Sequence, residues 1–203
     1  MRWEGCEKIL TDMSMYRGGR IGYRMNRTKL LSTIVLFGLL ASGCSSHRDL
    51  LVASRESAGI APDPHVTREA VLAVYGASTW GWRGWFAIHT WIAAKRTGEA
   101  SYTVYDVVGW RSHHGQPIMM ITQGIPDRYW FGQKPRVLKE HRGEGVDKLI
   151  DAVDKAAQAY PWKTTYKAFP GPNSNTFVAW IAKQVPELEL DLPFSAIGSG
   201  YVN

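Results

Sequence analysis

The stretch Pro170-Gly171-Pro172-Asn173-Ser174-Asn175-Thr176-Phe177 predicts the start of a helix around which the domain is built. Its two prolines and its glycine favour an irregular loop, because proline fixes its own φ angle and has no backbone N–H to donate. The apolar run 178–182 that follows is typical of a helix, and Asn, Ser and Thr are the residues that cap helix N-termini. A small polar cluster centred on Ser174 is therefore expected at a helix N-terminus.

Length and composition predict one globular domain that does not bind nucleic acid. The chain has 203 residues, of which 45% are hydrophobic and 21% charged, as in ordinary globular proteins. Residues 1–43 contain seven of the 24 Lys and Arg residues but three of the 18 acidic ones. The remainder has 17 basic and 15 acidic residues, a balance too even for a nucleic-acid-binding surface.

Residues 1–43 have the pattern of an export signal. Arg24, Arg27 and Lys29 precede the apolar run 30–41, which has the length of a signal-peptide core and is too short to span a membrane. Because a signal that begins at Met25 has normal proportions, we interpret residues 1–24 as an over-long start.

The end of this signal, Leu40-Ala41-Ser42-Gly43-Cys44, resembles a bacterial lipobox. The resemblance implies cleavage before Cys44 and a lipid such as palmitate on the mature N-terminus, which would hold the protein at a membrane. An ordinary signal peptide with an incidental cysteine, or a retained anchor, is the alternative. Ser45 resembles the outer-membrane sorting pattern of Gram-negative lipoproteins, so we expect an envelope protein that faces the periplasm. Cys6 lies upstream of the cleavage site, which excludes a disulfide in the mature chain.

The pattern of the remaining sequence predicts a tether and a single α+β domain. Residues 44–64 are mostly polar, and we interpret them as the lipidated N-terminus and a tether. We interpret residues 65–203 as the globular domain. We expect an antiparallel sheet packed with two main helices. The predicted strands are 70–77, 85–95, 101–110 and 117–123. A helix that starts at Thr67 also fits the first of these segments. The predicted helices are 135–141, 146–160 and 175–184.

His89 is the best candidate base in this domain. It lies in an apolar strand, where an imidazole is costly unless its nitrogens are hydrogen-bonded, and a hairpin about Gly98 brings Asp106 or Val108 across from it. A hydroxyl at a helix N-terminus is surrounded by N–H donors that can stabilise an oxyanion. Ser174 is thus a candidate nucleophile, with His89 as base and Asp106 as orienting group. The alternatives are a satisfied core histidine and a helix-capping serine.

Other polar and aromatic clusters give weaker indications. Asn173 and Asn175 flank Ser174 as possible binding residues. Trp80, Trp82 and Trp91, with Trp85 nearby, can form a sugar-stacking platform or a belt at the membrane surface, or simply pack in the core and loops.

Two further polar pairs do not predict a metal or cofactor site. His113 and His114 are adjacent and have no further ligand at metal-binding spacing, so a solvated turn fits better. Asp127 and Arg128 form either a structural pair or a substrate-binding edge. We expect no metal and no cofactor, because phosphate-loop and zinc motifs are absent from the sequence.

The strand motif His-Thr-Trp-Ile at 89–92, followed far downstream by Asn-Ser-Asn-Thr-Phe at 173–177, resembles the permuted papain-like hydrolases. This resemblance implies a permuted papain-like architecture in which His89 matches the base, Asp106 the orienting residue and Ser174 the usual cysteine. More closely, segments 79–84, 86–92, 126–132 and 170–177 resemble the bacterial domain-of-unknown-function family 3750 over about residues 68–200.

Two hypotheses about function follow. The first is a lipid-anchored binding or structural module on a papain-like scaffold, which we favour because a hydroxyl is a poorer nucleophile than a thiolate. The second is an amide or ester hydrolase, or an acyltransferase, that uses Ser174 and His89. Peptidoglycan, a peptide or an acyl compound is the expected partner besides the membrane.

Overall fold

A computed structural model describes residues 54–202 of the chain. The predicted signal peptide and Cys44 lie outside the described residues, so lipidation stays a prediction. The described residues belong to one compact unit, Ser46–Asn203. Between residues 54 and 202, no helix has both the length and the apolar character needed to cross a bilayer.

Five strands form one antiparallel sheet, which confirms the predicted α+β class. The strands are β1 (Val71–Ser78), β2 (Ile88–Lys95), β3 (Tyr102–Val107), β4 (Met119–Gly124) and β5 (Arg136–Arg142). Their order across the sheet is β4-β3-β2-β1-β5. The four predicted strands are confirmed as a meander, since each pairs with the next one in the chain.

The hairpin between β2 and β3 turns at Gly98, as predicted. Gly98 has a φ angle of 78°, a left-handed conformation that glycine adopts without strain. This turn sets Ile92 opposite Tyr105 in the ladder. The same register brings the first residues of β2 close to the last residues of β3, which is where His89 and Asp106 lie.

The predicted helix at 135–141 is wrong, because these residues form the edge strand β5. Leu138, Lys139 and Glu140 are good helix formers, but such preferences are worth less than about 1 kcal/mol per residue and tertiary contacts override them. Strand β1 is buried on both faces and needs a second hydrogen-bonding neighbour, which β5 provides. Pro135 precedes the first residue of β5, a position at which an edge strand tolerates the missing N–H.

Two helices cover one face of the sheet. Helix α1 spans Val146–Gln158 and helix α2 spans Ser174–Gln184, which confirms both predictions to within two residues. The apolar stripe of α1 is buried, as its periodicity predicts. The core on this face combines the two helices with alternate strand residues, including Leu72, Val74, Ile92, Tyr105, Ile150, Val153, Phe177 and Ile181.

The opposite face is covered by the connection that runs from β4 to β5. These strands lie at opposite edges of the sheet, so residues 125–135 must cross it, and Trp130 and Phe131 pack there against Tyr75 and Trp91. The crossing is fastened by the Trp91 indole, whose Nε1 donates to the Pro126 carbonyl at 2.7 Å.

Part of the segment assigned to the tether packs against this crossing. Asp127 is buried and accepts hydrogen bonds from Ser57 Oγ at 2.8 Å and from the backbone N–H groups of Ile60 and Ala61 at 2.7 and 3.1 Å. The packed chain therefore begins upstream of residue 65. The sequence left the pair 127–128 as either a structural pair or a substrate-binding edge. The hydrogen bonds of Asp127 give this residue a structural role.

Candidate functional site

His89, Asp106 and Arg128 form a linked polar group on the face of the sheet away from the helices. His89 lies near the start of β2 and Asp106 near the end of the neighbouring β3. The His89 Nε2 atom is 3.0 Å from Asp106 Oδ1, and Arg128 Nη2 donates to Asp106 Oδ2 at 2.6 Å. The sequence predicted the first of these contacts. The second is a role for Arg128 that the sequence left open.

The ionisation of Asp106 determines which His89 nitrogen carries a proton. Burial of Asp106 would raise its pKa, but the contacts with His89 and Arg128 and the Val107 amide outweigh burial, and the pKa lies below its ordinary value. An ionised carboxylate only accepts hydrogen bonds. His89 must therefore donate from Nε2, and in the neutral ring Nδ1 is left with a lone pair.

Aromatic rings enclose this group. The His89 ring stacks on Trp130 with a centroid separation of 3.5 Å and an interplanar angle of 5°. The Arg128 guanidinium lies 5.1 Å from the Trp91 ring centroid and 5.7 Å from that of Trp130, within the range of cation–π attraction. These contacts restrict the orientations that the histidine and arginine side chains can adopt.

The start of α2 is a closed capping arrangement. The Asn173 side chain accepts from the backbone N–H groups of Asn175 at 2.9 Å and Thr176 at 3.1 Å, while Thr176 Oγ1 accepts from the Asn173 N–H at 3.1 Å. The Phe177 N–H bonds to the Asn173 carbonyl. Among the first four N–H groups of the helix, three are therefore already occupied, and only that of Ser174 has no partner within residues 54–202.

Asn173 and Asn175 also use both of their amide N–H groups inside the protein. Asn173 Nδ2 donates to the carbonyls of Ala168 and Ile197. Asn175 Nδ2 donates to those of Ile88 and Ile197, and its Oδ1 accepts from Thr90 Oγ1 at 2.9 Å. Both side chains therefore join α2 to β2 and to the C-terminal segment. They have no amide N–H left for a ligand.

Ser174 and His89 are not hydrogen-bonded to each other. Ser174 is 3% exposed, and its hydroxyl makes no hydrogen bond with any residue that the structure describes. Asn175 brings the helix start to the neighbours of His89 in β2, but it bonds to Thr90, whose side chain faces the helices. The His89 side chain faces Trp91 and Trp130 on the other side of the sheet. The structure thus joins His89 to Asp106 and leaves the role of Ser174 a prediction.

A cavity of about 250 Å³ opens beside the polar group. We call it the arginine cavity, because three arginine residues line it. Its polar and aromatic lining residues are mainly Arg55, Asp106, Trp110, Arg111, Arg128 and Trp130. Ser174 is not among the lining residues. Within this set, the sequence indicates possible functional roles only for Asp106 and Arg128. Arg55 was assigned to the tether, and no local pattern marks it as part of a site.

The tryptophans named as possible binding residues occupy different environments. Trp91 is fully buried, whereas Trp80 and Trp82 are 37% and 66% exposed and Trp85, in the same loop, is 92% exposed. The loop thus presents indole rings to the surroundings, and Trp91 belongs to the core. Within residues 54–202, no three His, Cys, Asp or Glu side chains lie close enough together to hold a metal ion.

Comparison with known proteins identifies the family of the chain. No curated protein and no solved structure matches it, so the likeness to papain-like hydrolases stays a prediction. A family model described as "Protein of unknown function (DUF3750)" matches residues 69–201. This match includes all five strands, both helices and the His89–Asp106–Arg128 group. The chain therefore belongs to the DUF3750 family.

Proposed function

We propose that this protein is a lipid-anchored component of the bacterial cell envelope whose folded domain binds a ligand and does not catalyse a reaction. The lipobox-like stretch that ends at Cys44 supports the anchor, and the signal-like residues 25–43 support export. Ser45 supports the outer membrane, with the domain in the periplasm. A peptidoglycan fragment, a peptide or an acyl compound is then the available partner.

The observation that carries the binding role is the separation of the serine from the open cavity. A nucleophile needs a base within hydrogen-bond reach and a path for its substrate. Ser174 is buried, the N–H groups of the three residues after it already have partners, and it makes no hydrogen bond with His89. The arginine cavity reaches Asp106 and Arg128 instead. Binding requires only such a preformed concave site.

A papain-like scaffold is part of this proposal. It is supported by a strand histidine bonded to a carboxylate and by a polar helix start packed against the same strand, although His89 faces the other side of the sheet. In this scaffold Asn173 and Asn175 hold the helix to the sheet, and Ser174 occupies the position of the usual cysteine without performing its chemistry.

A fluorophosphonate serine probe tests the proposal on the full chain in mild detergent. We expect no labelling of wild-type protein above that of the Ser174→Ala variant. Ser112→Ala is the matched control, because Ser112 is exposed and its hydroxyl donates to the Gly109 carbonyl outside the site. Labelling that disappears in Ser174→Ala and persists in Ser112→Ala would overturn the non-catalytic role.

The anchor is tested separately by metabolic labelling with a fatty-acid analogue. We expect the label to be incorporated into the wild-type chain and lost in Cys44→Ser. Incorporation that persists in Cys44→Ser would mean that the lipid is carried elsewhere. Cys6→Ser is the control, because Cys6 lies in the part of the chain that processing would remove.

An amide or ester hydrolase, or an acyltransferase, is the second candidate. It is favoured by one observation: Asp106 holds His89 through Nε2 and leaves the Nδ1 lone pair as the basic atom. In this mechanism the His89 ring would have to turn from Trp130 toward the start of α2, where Nδ1 would take the Ser174 proton and Asp106 would stabilise the imidazolium. The serine probe distinguishes this candidate from the binding module.

A further inference from the structure

We propose that the arginine cavity binds an oxyanion, namely the carboxylate or phosphate group of a small molecule or of a chain end. This inference rests on the proposed binding function and names the chemical class of its ligand. The residues that line the cavity include three arginines, Arg55, Arg111 and Arg128, and one acidic residue, Asp106. Its wall therefore has a formal excess of two positive charges.

The three arginines differ in how many donors they have free. Arg128 already donates to Asp106 at 2.6 Å, so its charge is largely balanced. Arg111 uses its Nε to bond the Pro117 carbonyl at 2.7 Å, which fixes the side chain. The terminal nitrogens of Arg111 make no hydrogen bond with a described residue, and neither does any nitrogen of Arg55. Arg55 and Arg111 are thus the donors available to a ligand.

Arg55 is held in place by aromatic contacts and by its segment. Its guanidinium lies 4.5 Å from the Phe131 ring centroid and 5.9 Å from that of Trp110. The backbone on either side is fastened by bonds from Gly132 N to the Ser54 carbonyl and from Tyr129 N to the Glu56 carbonyl. A stacked guanidinium keeps its in-plane N–H groups free, and these donors match carboxylate and phosphate in a bidentate geometry.

The size and walls of the cavity narrow the class of ligand. A volume of about 250 Å³ is below the roughly 300–1,000 Å³ of sites that enclose drug-sized molecules. It suits a small molecule or the terminal group of a larger one. Trp110 and Trp130 provide flat apolar surface beside the charged groups, so the portion next to the anion is expected to be apolar or planar.

The test is a calorimetric titration of the full chain in a nonionic detergent at low salt, with three probes used separately. These are inorganic phosphate, N-acetyl-alanyl-alanine with a free carboxylate, and its C-terminal amide. We expect phosphate, the free acid or both to bind, and the amide to bind at least tenfold more weakly than the acid where the acid binds. Binding of phosphate alone assigns a phosphate site, and binding of the acid alone assigns a carboxylate site.

Arg55→Gln is the informative variant, because this side chain has no hydrogen bond with a described residue whose loss would destabilise the fold. We expect affinity for the bound probe to fall about tenfold, the scale of one charge-assisted hydrogen bond. Arg136→Gln is the matched control: Arg136 is exposed on β5 and does not line the cavity. Failure of both anions to bind, equal binding of acid and amide, or equal weakening in the two variants would overturn the inference.

The serine probe is applied to the same preparation, so that the two proposals fail separately. Ser174-dependent labelling would refute the non-catalytic function whatever the titration shows. No anion binding together with no labelling would refute the oxyanion site alone.

Discussion

Replacing Asp106 with asparagine removes the carboxylate that His89 and Arg128 share. Asp106 is fully buried, while the Arg128 side chain is 18% exposed. The asparagine side chain has one acceptor and one donor group where the site needs two acceptors. If the His89 proton moves to Nδ1, Nε2 can accept from the new amide N–H, and the amide oxygen can accept from Arg128. The hydrogen bonds are then kept, but Arg128 loses its counter-charge.

The expected cost is about 3 kcal/mol of unfolding free energy. Removing one partner of a buried ion pair typically costs about 3–5 kcal/mol. We take the lower end, because water can partly solvate the Arg128 guanidinium. With a urea slope of roughly 2 kcal/mol per molar for a domain of this size, the unfolding midpoint should fall by about 1.5 M.

Urea unfolding of the full chain, followed by circular dichroism, measures this change. The control is Glu189→Gln, which makes the same chemical substitution in a surface pair: Glu189 Oε2 is 3.1 Å from Lys139 Nζ, and the Glu189 side chain is 73% exposed. An exposed pair contributes less than about 1 kcal/mol, so its midpoint should shift by less than roughly 0.5 M. Equal small shifts in both variants would refute the argument that Asp106 is a buried counter-charge.

The pH dependence gives a second signature of the same group. The pKa of Asp106 is lower in the folded state than its ordinary value, so its ionisation stabilises the fold above roughly pH 3.9, the ordinary value for an unfolded chain. This contribution is lost as the pH falls through the folded pKa. The difference in stability between wild type and Asp106→Asn should therefore shrink as the pH falls below about 4. A difference that grows as the pH falls below about 4 would contradict the sign of the shift.

Two other changes probe the N-terminal segment and the tryptophan loop. Asp127→Ala removes the acceptor of Ser57 Oγ and of two backbone N–H groups, so limited proteolysis should cut around residue 57 several times faster while the rest of the domain stays intact; an unchanged rate would mean that other contacts hold the segment. Replacing Trp82 and Trp85 by serine should lower tryptophan quenching by brominated lipids when the full chain is reconstituted in vesicles, because exposed indoles favour the membrane interface. Quenching equal to that of wild type would place this loop away from the bilayer.

Much of the fold follows from local signals in the sequence. Asn173 and Thr176 form the predicted helix cap because their short side chains reach backbone N–H groups only a few residues away. The spacing of apolar residues predicts helix α1, since one buried stripe recurs every three to four residues. Gly98 marks the hairpin, and this turn sets the register from which the proximity of His89 and Asp106 could be anticipated.

Other features depend on residues that are distant in the sequence. Strand β5 forms because β1 has an open edge, and the local preference of residues 136–142 for a helix does not reveal that edge. Likewise, nothing near Arg55 predicts that the chain returns 70 residues later and that Asp127 fastens its segment beside the cavity.

The sequence by itself determined the family, the α+β class and the polar cluster at the start of α2, because caps, turns and periodicity are short-range properties. Only the tertiary structure decided which groups share a site. It paired His89 with Asp106 and Arg128 on one face of the sheet and joined the start of α2 to the other. The physical reason is that alternate residues of a strand face opposite sides, so neighbours in sequence such as His89 and Thr90 have different partners in the folded protein.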